Sequence, residues 1–396
     1  MDSFKKLYRY KYKFFQHTQT EPSDFYQSVV ITPNNAARFV GLDVFTEGYK
    51  FSWRTFCMIV SILVYIYCCV FTAYEVRCSV KELIFCLVTS GLAPHKTVHV
   101  WTFLMFRKEL YWFHQYTKDL YREECKDRTK SMLMKNVSLL SVTTKLMLVA
   151  YTCISSAMDI VPIISSAASG EKTLPFGFYI PFLDHTSSPG FTCNFIIHVT
   201  LTVYVLCSGY GADCIYLIAM ASSFTQIDVL MSALRELTTE IEAKKSDVGE
   251  CLNQIIVRHQ EHLKYLGTLE SVFRIYFLVN FVSLALTLIL SWYAAIVLSW
   301  YQGYGFILFI SYGLFFGCFL GTLLAMKSEQ LERAIYDVPW YKMSLANQKS
   351  MKFLLNSAQQ PVSMTFIFYK LDVPTFLQMY KMIYSTFTML LTVRDE

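Results

Sequence analysis

KDLYREECKDRTK, Lys118 to Lys130, places Lys118, Arg122, Lys126, Arg128 and Lys130 in the connection between two long apolar runs. The same crowding appears at Lys5, Lys6, Arg9, Lys11 and Lys13 before the first run, and at Lys327, Arg333, Lys342, Lys349 and Lys352 after the sixth. The intervening connections are nearly bare of basic residues. Positive charge close to a span is retained in the cytoplasm. The alternation therefore predicts an odd number of crossings, with the amino terminus inside and the carboxyl terminus outside, the reverse of a G-protein-coupled receptor.

Composition points the same way. With 54% hydrophobic and 16% charged residues among 396, and a mean hydropathy of +0.36, the chain is too apolar for a soluble domain and has no polar half that would fold separately. It belongs among membrane lipids. The net charge of +5 lies beside spans, where retention already explains it, so nucleic acid is not an expected partner. The 12 cysteines are scattered through apolar runs without metal-type spacing. Only Cys78 and Cys193 fall near the predicted outer face. The opening, MDSFKKLYRYKYKFF, has no small-residue cleavage site of a signal peptide. P-loop, dinucleotide, HExxH and GxSxG motifs are all missing, so neither an enzyme nor a cofactor is expected. His259 and His262 are three residues apart, and without a second acid-histidine pair they read as a solvated pair rather than a metal site.

A span needs about 20 mainly apolar residues. That length selects Phe56 to Tyr74, Leu83 to Met105, Leu139 to Ser165, Phe191 to Ser223, Val272 to Trp300, Phe306 to Met326 and Thr375 to Val393. The fold class is all-α, a seven-transmembrane helical bundle with a cytoplasmic helical anchor region. Residues 1–55 form a cytoplasmic amino-terminal segment; 56–223 hold spans one to four with an ordered external loop at 162–190; and 224–271 hold cytoplasmic helical extensions. Residues 272–326 hold spans five and six, 327–374 a cytoplasmic amphipathic helix interrupted at Pro339, and 375–396 the last helix and tail. Val229, Leu230, Leu234, Leu237 and Ile241, then Leu252, Ile255, Ile256 and Leu263, keep helical spacing among charged residues, which extends spans four and five beyond the bilayer.

Ionisable residues inside a span are costly when unpaired. Lys145 in the third span and Asp213 in the fourth come to similar depth and are expected to pair, holding the two helices together. Gly313, Gly317 and Gly321 lie on one face of the sixth span, where small residues admit a close neighbour. Asp372 and Pro374 signal the start of the last helix. Beyond them Met382, Ser385, Thr386, Met389, Thr392 and Val393 share a side that mixes hydroxyls with apolar groups. Such a face suits water or other helices better than lipid, as in a pore built by several subunits. The sequon Asn136-Val137-Ser138 lies on the cytoplasmic side and should stay unmodified.

LPFGFYIPFLDHTSSPGF (Leu174 to Phe191), AIYDVPWY (Ala334 to Tyr341), Gln360-Pro361 and KMIYSTFTMLL (Lys381 to Leu391) together resemble insect odorant receptors. The motifs lie mainly in the second half of the chain; the first half matches in span layout only. The resemblance implies an odorant-gated, non-selective cation channel, a heterotetramer around a central pore, in the plasma membrane of olfactory sensory neurons. It further implies a shared co-receptor subunit as partner. The compact segment between spans four and five lacks the co-receptor's long insertion, which marks this chain as the odorant-specific tuning subunit. The family's hydrophobic gate falls at Met389 and Val393, with Thr392 and Ser385 on the same lining, although other members vary at the positions of Met389 and Thr392. Its ligand site, in the outer half of the bundle, falls at Phe85, Val88, Thr89, Tyr151, Ser155, Met158, Thr200, Tyr204, Trp292, Tyr293 and Tyr312. A mostly apolar pocket with a few hydroxyls suits a small neutral volatile. A gustatory-type relative responding to a tastant is the alternative, ahead of a receptor acting through a G protein; a transporter would show inverted repeats that are missing here.

Overall fold

Helix ends follow the short polar residues that flank the apolar runs. In the computed structural model Ser52 and Thr55 form a reciprocal capping box at the start of the first crossing helix. Ser187 accepts from the Gly190 amide at the start of the fourth, and Asp372 accepts from the Thr375 amide at 2.8 Å at the start of the last. The structure describes residues 21–395 except 50, 126, 171, 185–186, 245–246, 301, 361–362 and 367–368, so the basic cluster from Lys5 to Lys13 lies outside the described residues. In chain order the helices are α1 (Pro22–Phe39), α2 (Trp53–Glu75), α3 (Val80–Ser90), α4 (Leu92–Met105), α5 (Arg107–Glu123), α6 (Asp127–Ser169), α7 (Ser188–Glu242), α8 (Val248–Val297) and α9 (Gln302–Tyr336). A 3₁₀ turn at Trp340–Lys342, helix α10 (Leu345–Ala358), a two-residue hairpin β1 (Thr365–Phe366) and β2 (Tyr369–Lys370), and α11 (Val373–Asp395) complete the chain.

Seven crossings result, made by α2, α3 with α4, α6, α7, α8, α9 and α11. Among the described residues five helices, α2 and α6 to α9, are long and apolar enough to span a bilayer individually. The second crossing is not one helix, as its hydropathy suggested. Pro94 has no N–H to offer the Ser90 carbonyl and its ring crowds that turn, so the chain breaks at Gly91. A Cβ on Gly91 would meet Thr287 Oγ1 of α8 at 1.9 Å, so the break also lets α8 approach. Leu63, Val64 and Val70 of α2 turn outward, as lipid-facing side chains do.

The segment expected as a plain amino-terminal lead contains α1, which packs on α7 and α6 through Phe25, Tyr26, Val29, Val30 and Ala37. Gly211 of α7 leaves room for it, since a Cβ there would sit 3.1 Å from Ala37. The expected loop at 162–190 begins later, because α6 continues through Pro162 to Ser169. Phe176 and Phe178 plug the bundle end, and the Tyr179 and Ile180 amides donate to Thr72 and Asn194 at 2.9 Å each.

At 55 residues α7 is about 80 Å long, far beyond the roughly 30 Å of a hydrocarbon core. Its distal half and the first half of α8, joined by a break at residues 243–247, form an anchor with α5, α10 and the end of α9. Charged residues here are paired: Arg258 forks onto Glu124 at 2.6 and 3.1 Å, and Lys327 reaches Asp228 at 2.5 Å. Asn136 of the sequon donates to the same Asp228 at 3.0 Å. His259 and His262 are not solvated. Both face α7 and are buried, and His262 Nδ1 lies 3.0 Å from Gln226 Oε1. The glycine stripe packs as expected at two of its three positions: a Cβ on Gly317 would meet Phe277 at 2.6 Å and one on Gly321 the Leu371 carbonyl at 1.9 Å, while Gly313 has more room.

Candidate functional site

Three ionisable side chains from α4, His95, Lys96 and His99, enter the middle of the bundle, and all three are buried. His95 Nδ1 lies 2.7 Å from Asn280 Oδ1 of α8, and its ring stands edge-on to His99 at 4.2 Å. His99 in turn lies 4.9 Å from the Tyr276 ring. Lys96 Nζ donates to the Val205 carbonyl of α7 at 3.4 Å and is close enough to Asp213 for attraction. The Asp213 carboxylate accepts from the Tyr151 hydroxyl of α6 and, at 3.3 Å, from that of Tyr276. Gly209 makes the meeting possible, because a Cβ there would lie 3.0 Å from the Tyr151 ring and 3.3 Å from Lys96 Nζ. One polar cluster thus ties α4, α6, α7 and α8 together inside the membrane-spanning part.

This replaces the expected Lys145–Asp213 pair. Lys145 stands on the exposed side of α6, while Asp213 points into the bundle toward Lys96. The two helices pack in a register that puts Tyr151, not Lys145, opposite Asp213. The signal for Lys96 was in HKTVH, His95 to His99, three ionisable residues within five in an apolar run.

Two cavities adjoin the cluster. One, of about 70 Å³, lies between α2, α4 and α7 and reaches up to Phe176 of the roof; Ser61, Tyr65, Lys96, His99, Tyr204 and Ser208 interrupt an otherwise apolar wall. The other, of about 30 Å³, lies between α6, α8 and α9 and holds Tyr151, Asp213, Tyr276 and Tyr312. Both ring nitrogens of His99 and the Tyr312 hydroxyl are buried without a hydrogen-bond partner among the described residues.

Of the anticipated ligand residues, Tyr151 and Tyr312 share the smaller cavity and Tyr204 lines the larger. Phe85 instead stacks on Trp300 at 4.8 Å, and Val88 and Thr89 are fully buried in helix packing, the Thr89 carbonyl accepting from Tyr65. Ser155 and Met158 are half-buried farther along α6, outside both linings. Thr200 faces outward and donates to its own helix at Ile196. Trp292 lies against Phe387 of α11, and the half-buried Tyr293 lines neither cavity. Apolar residues occur on every side of these spans, so hydropathy gave no rotational setting for them.

On α11 the side of Ile383 and Phe387 is buried, while Ser385, Met389 and Thr392 are exposed. Met389 is 68% exposed, and the Thr392 hydroxyl donates back to the Thr388 carbonyl. The Val393 side chain lies outside those described.

A family model described as the 7tm Odorant receptor matches residues 79–384. The chain belongs to the insect odorant receptor family. This receptor is 25% identical over 399 residues to putative odorant receptor 83c of Drosophila melanogaster, covering 94% of this chain and 99% of that relative. It is 22% identical to odorant receptor 49a of the same fly over 277 residues, covering 67% and 69% of the two chains. In three dimensions it is similar to the olfactory receptor OR5 of Machilis hrabei, with a TM-score of 0.76 at 17% identity over 93% of this chain and 97% of that one. Against OR5 in complex with eugenol the TM-score is 0.73 at 15% identity, over 93% and 98%. The seven-helix bundle is therefore the receptor fold, and the protein is a multi-pass membrane receptor rather than an enzyme.

Proposed function

We propose that this receptor is the odorant-binding tuning subunit of a heterotetrameric, odorant-gated, non-selective cation channel, formed with a co-receptor in the plasma membrane of olfactory sensory neurons. The observation that carries the reading is the two-sided last helix. One side of α11 is packed through Ile383 and Phe387, while the hydroxyl-bearing side, with Ser385, Met389 and Thr392, is left uncovered. A ring of such helices from several subunits gives a lined pore, and apolar side chains at its neck exclude hydrated ions without a blocking charge. The basic connections support an amino terminus in the cytoplasm, which puts Met389 near the outer mouth and the paired helices of the anchor beneath the membrane. The short break at residues 243–247 supports a tuning role, and the eugenol complex of a receptor with the same fold supports a small-molecule ligand.

A ligand opens such a pore by binding the dilated arrangement more tightly than the closed one. The smaller cavity is lined by Tyr312, and the neighbouring Ser311 hydrogen-bonds to Tyr380 of α11, so a route of packed groups joins cavity to pore helix. The test is current recording from cells expressing the receptor with and without a co-receptor across an odorant panel. Odorant-evoked cation current only in the paired cells is expected; currents that vanish on G-protein blockade would overturn the channel reading.

A further inference from the structure

The larger cavity has an unusual chemical imbalance. Its walls are apolar, with Leu42, Met58, Ile62, Leu92 and Leu201 among them. Three of its four hydroxyls are committed: Ser61 donates to the Cys57 carbonyl at 2.8 Å, Ser208 to Val205 at 3.2 Å, and Tyr65 to Thr89, while the fourth, on Tyr204, is only half-buried. What remains deeply buried is hydrogen-bonding capacity on α4, one turn apart. Lys96 Nζ makes one long bond, to a carbonyl, and has protons to spare. His99 is 1% exposed, lines the cavity, and leaves both ring nitrogens unpartnered. A buried polar group without a partner costs about 1–3 kcal/mol, so its natural complement is an acceptor brought in from outside.

We propose that the cavity between α2, α4 and α7 is a ligand site for a short-chain, uncharged carbonyl compound, a ketone, aldehyde or ester, whose oxygen accepts from His99 and Lys96 while its alkyl part fills the apolar wall. This deepens the odorant-binding reading and rests on it. The ligand is neutral because Asp213 already balances Lys96, and a carboxylate would bring a second negative charge into the same low-dielectric cluster. Occupancy also reaches the rest of the bundle. His99 packs edge-on to His95 and against the Tyr276 ring, and these hold Asn280 and Asp213.

The test uses the purified full-length receptor without a co-receptor, so it does not depend on channel activity. Thermal unfolding midpoints are measured against C5 to C8 methyl ketones, the matched alkanes and the matched carboxylates, and converted to affinities by linkage. At least one ketone is expected to bind about tenfold more tightly than its alkane, as one or two hydrogen bonds to buried donors provide. His99→Phe should cut that preference severalfold, to what Lys96 alone provides, while the alkane binds as before, and His99→Gln, which keeps a donor, should restore part of it. Leu201→Trp should remove all binding. Equal binding of ketone and alkane, tighter binding of the carboxylate, no binding by any probe, or a ketone preference undiminished by His99→Phe would each overturn the proposal. Ketone binding by the purified receptor, with no odorant-evoked current even when it is paired with a co-receptor, would count against the channel reading and leave this site standing.

Discussion

The two halves of α7 and α8 run through different kinds of interior. In the anchor half, polar groups are matched: Arg258 with Glu124, Lys327 and Asn136 with Asp228, His262 with Gln226, and the Tyr265 hydroxyl with the Ala219 carbonyl at 2.9 Å. Trp112, Phe113 and Tyr116 close around the Tyr265 ring at 4.9 to 5.5 Å. The membrane half buries Lys96 and the three histidines His95, His99 and His198 and turns Asp213 inward, yet leaves His99 and Tyr312 unmatched beside cavities. A fully satisfied network resists rearrangement, whereas a partly satisfied one has free energy to gain from a new partner. The anchor is thus suited to resist rearrangement, and the cavity-bearing half to respond to a bound partner.

The sharpest way to break this contrast is to remove one member of the charged cluster. Lys96→Met strands Asp213 and should destabilise the receptor by about 3–5 kcal/mol. Asp213→Asn in the same chain should recover much of the loss, read as surface expression and as the thermal midpoint in detergent. Lys145→Met, at an exposed position, should cost far less; if it matched Lys96→Met, the assignment of Asp213 to Lys96 would fail.

Next in size is a pair of glycines. Gly321→Ala drives a methyl group into the Leu371 carbonyl and should cost about 1–3 kcal/mol or more, whereas a Cβ at Gly267 in the anchor meets nothing within 4 Å. Gly267→Ala should therefore stabilise by up to about 1 kcal/mol through helix propensity. Equal midpoints for the two variants would contradict the packing described for α9.

The anchor histidines supply a pH signature. Burial, with His259 nearby, pushes the His262 pKa down from 6.5 to about 3, and burial lowers His259 as well. Each stays neutral when folded but takes up a proton when unfolded below pH 6.5. The stability linked to their neutral state is complete above that value and is lost as pH falls below it, for His262 through the window from 6.5 toward about 3. At pH 5 the loss from His262 is at most about 2 kcal/mol. His262→Gln should flatten the dependence of the unfolding midpoint between pH 7.5 and 5, and an unchanged slope would show that this imidazole is not buried as described.

The smallest effect on stability, though not on current, is expected on α11. Met389→Ser removes no buried contact and should leave expression intact while raising unstimulated current, if its exposed side lines a pore. Leu391→Ser, on a half-buried flank, should change resting current much less. Equal currents from both variants would separate α11 from the conduction path.

Much of this architecture was legible in the chain itself. Apolar length located the crossings, and the stripe from Val229 to Ile241 foretold that α7 leaves the membrane as a helix. Asp372 marked the start of α11. The misreadings share one cause. A helix between lipid and protein is apolar all round, so periodicity does not say which side faces inward. Asp213 was therefore assigned the wrong cation, and Thr200 and Trp292 were placed without knowledge of which way they face. Pairing across helices is a tertiary fact, which is also why His259 and His262 read as solvated. The break at Gly91 had a local signal in Pro94, but the continuous hydropathy of that run masked it.

The modest apolarity of α11 bears on how the receptor is made. It is not among the five helices apolar enough to cross a bilayer individually; Ile383 and Phe387 pack it against α8 and α9, while its exposed hydroxyls on Ser385, Thr386 and Thr392 are poorly matched by lipid. During synthesis α11 emerges after the other six crossings. Its insertion is therefore favoured only once α8 and α9 present a surface to receive it, and a polypeptide whose earlier spans have misassembled lacks that surface.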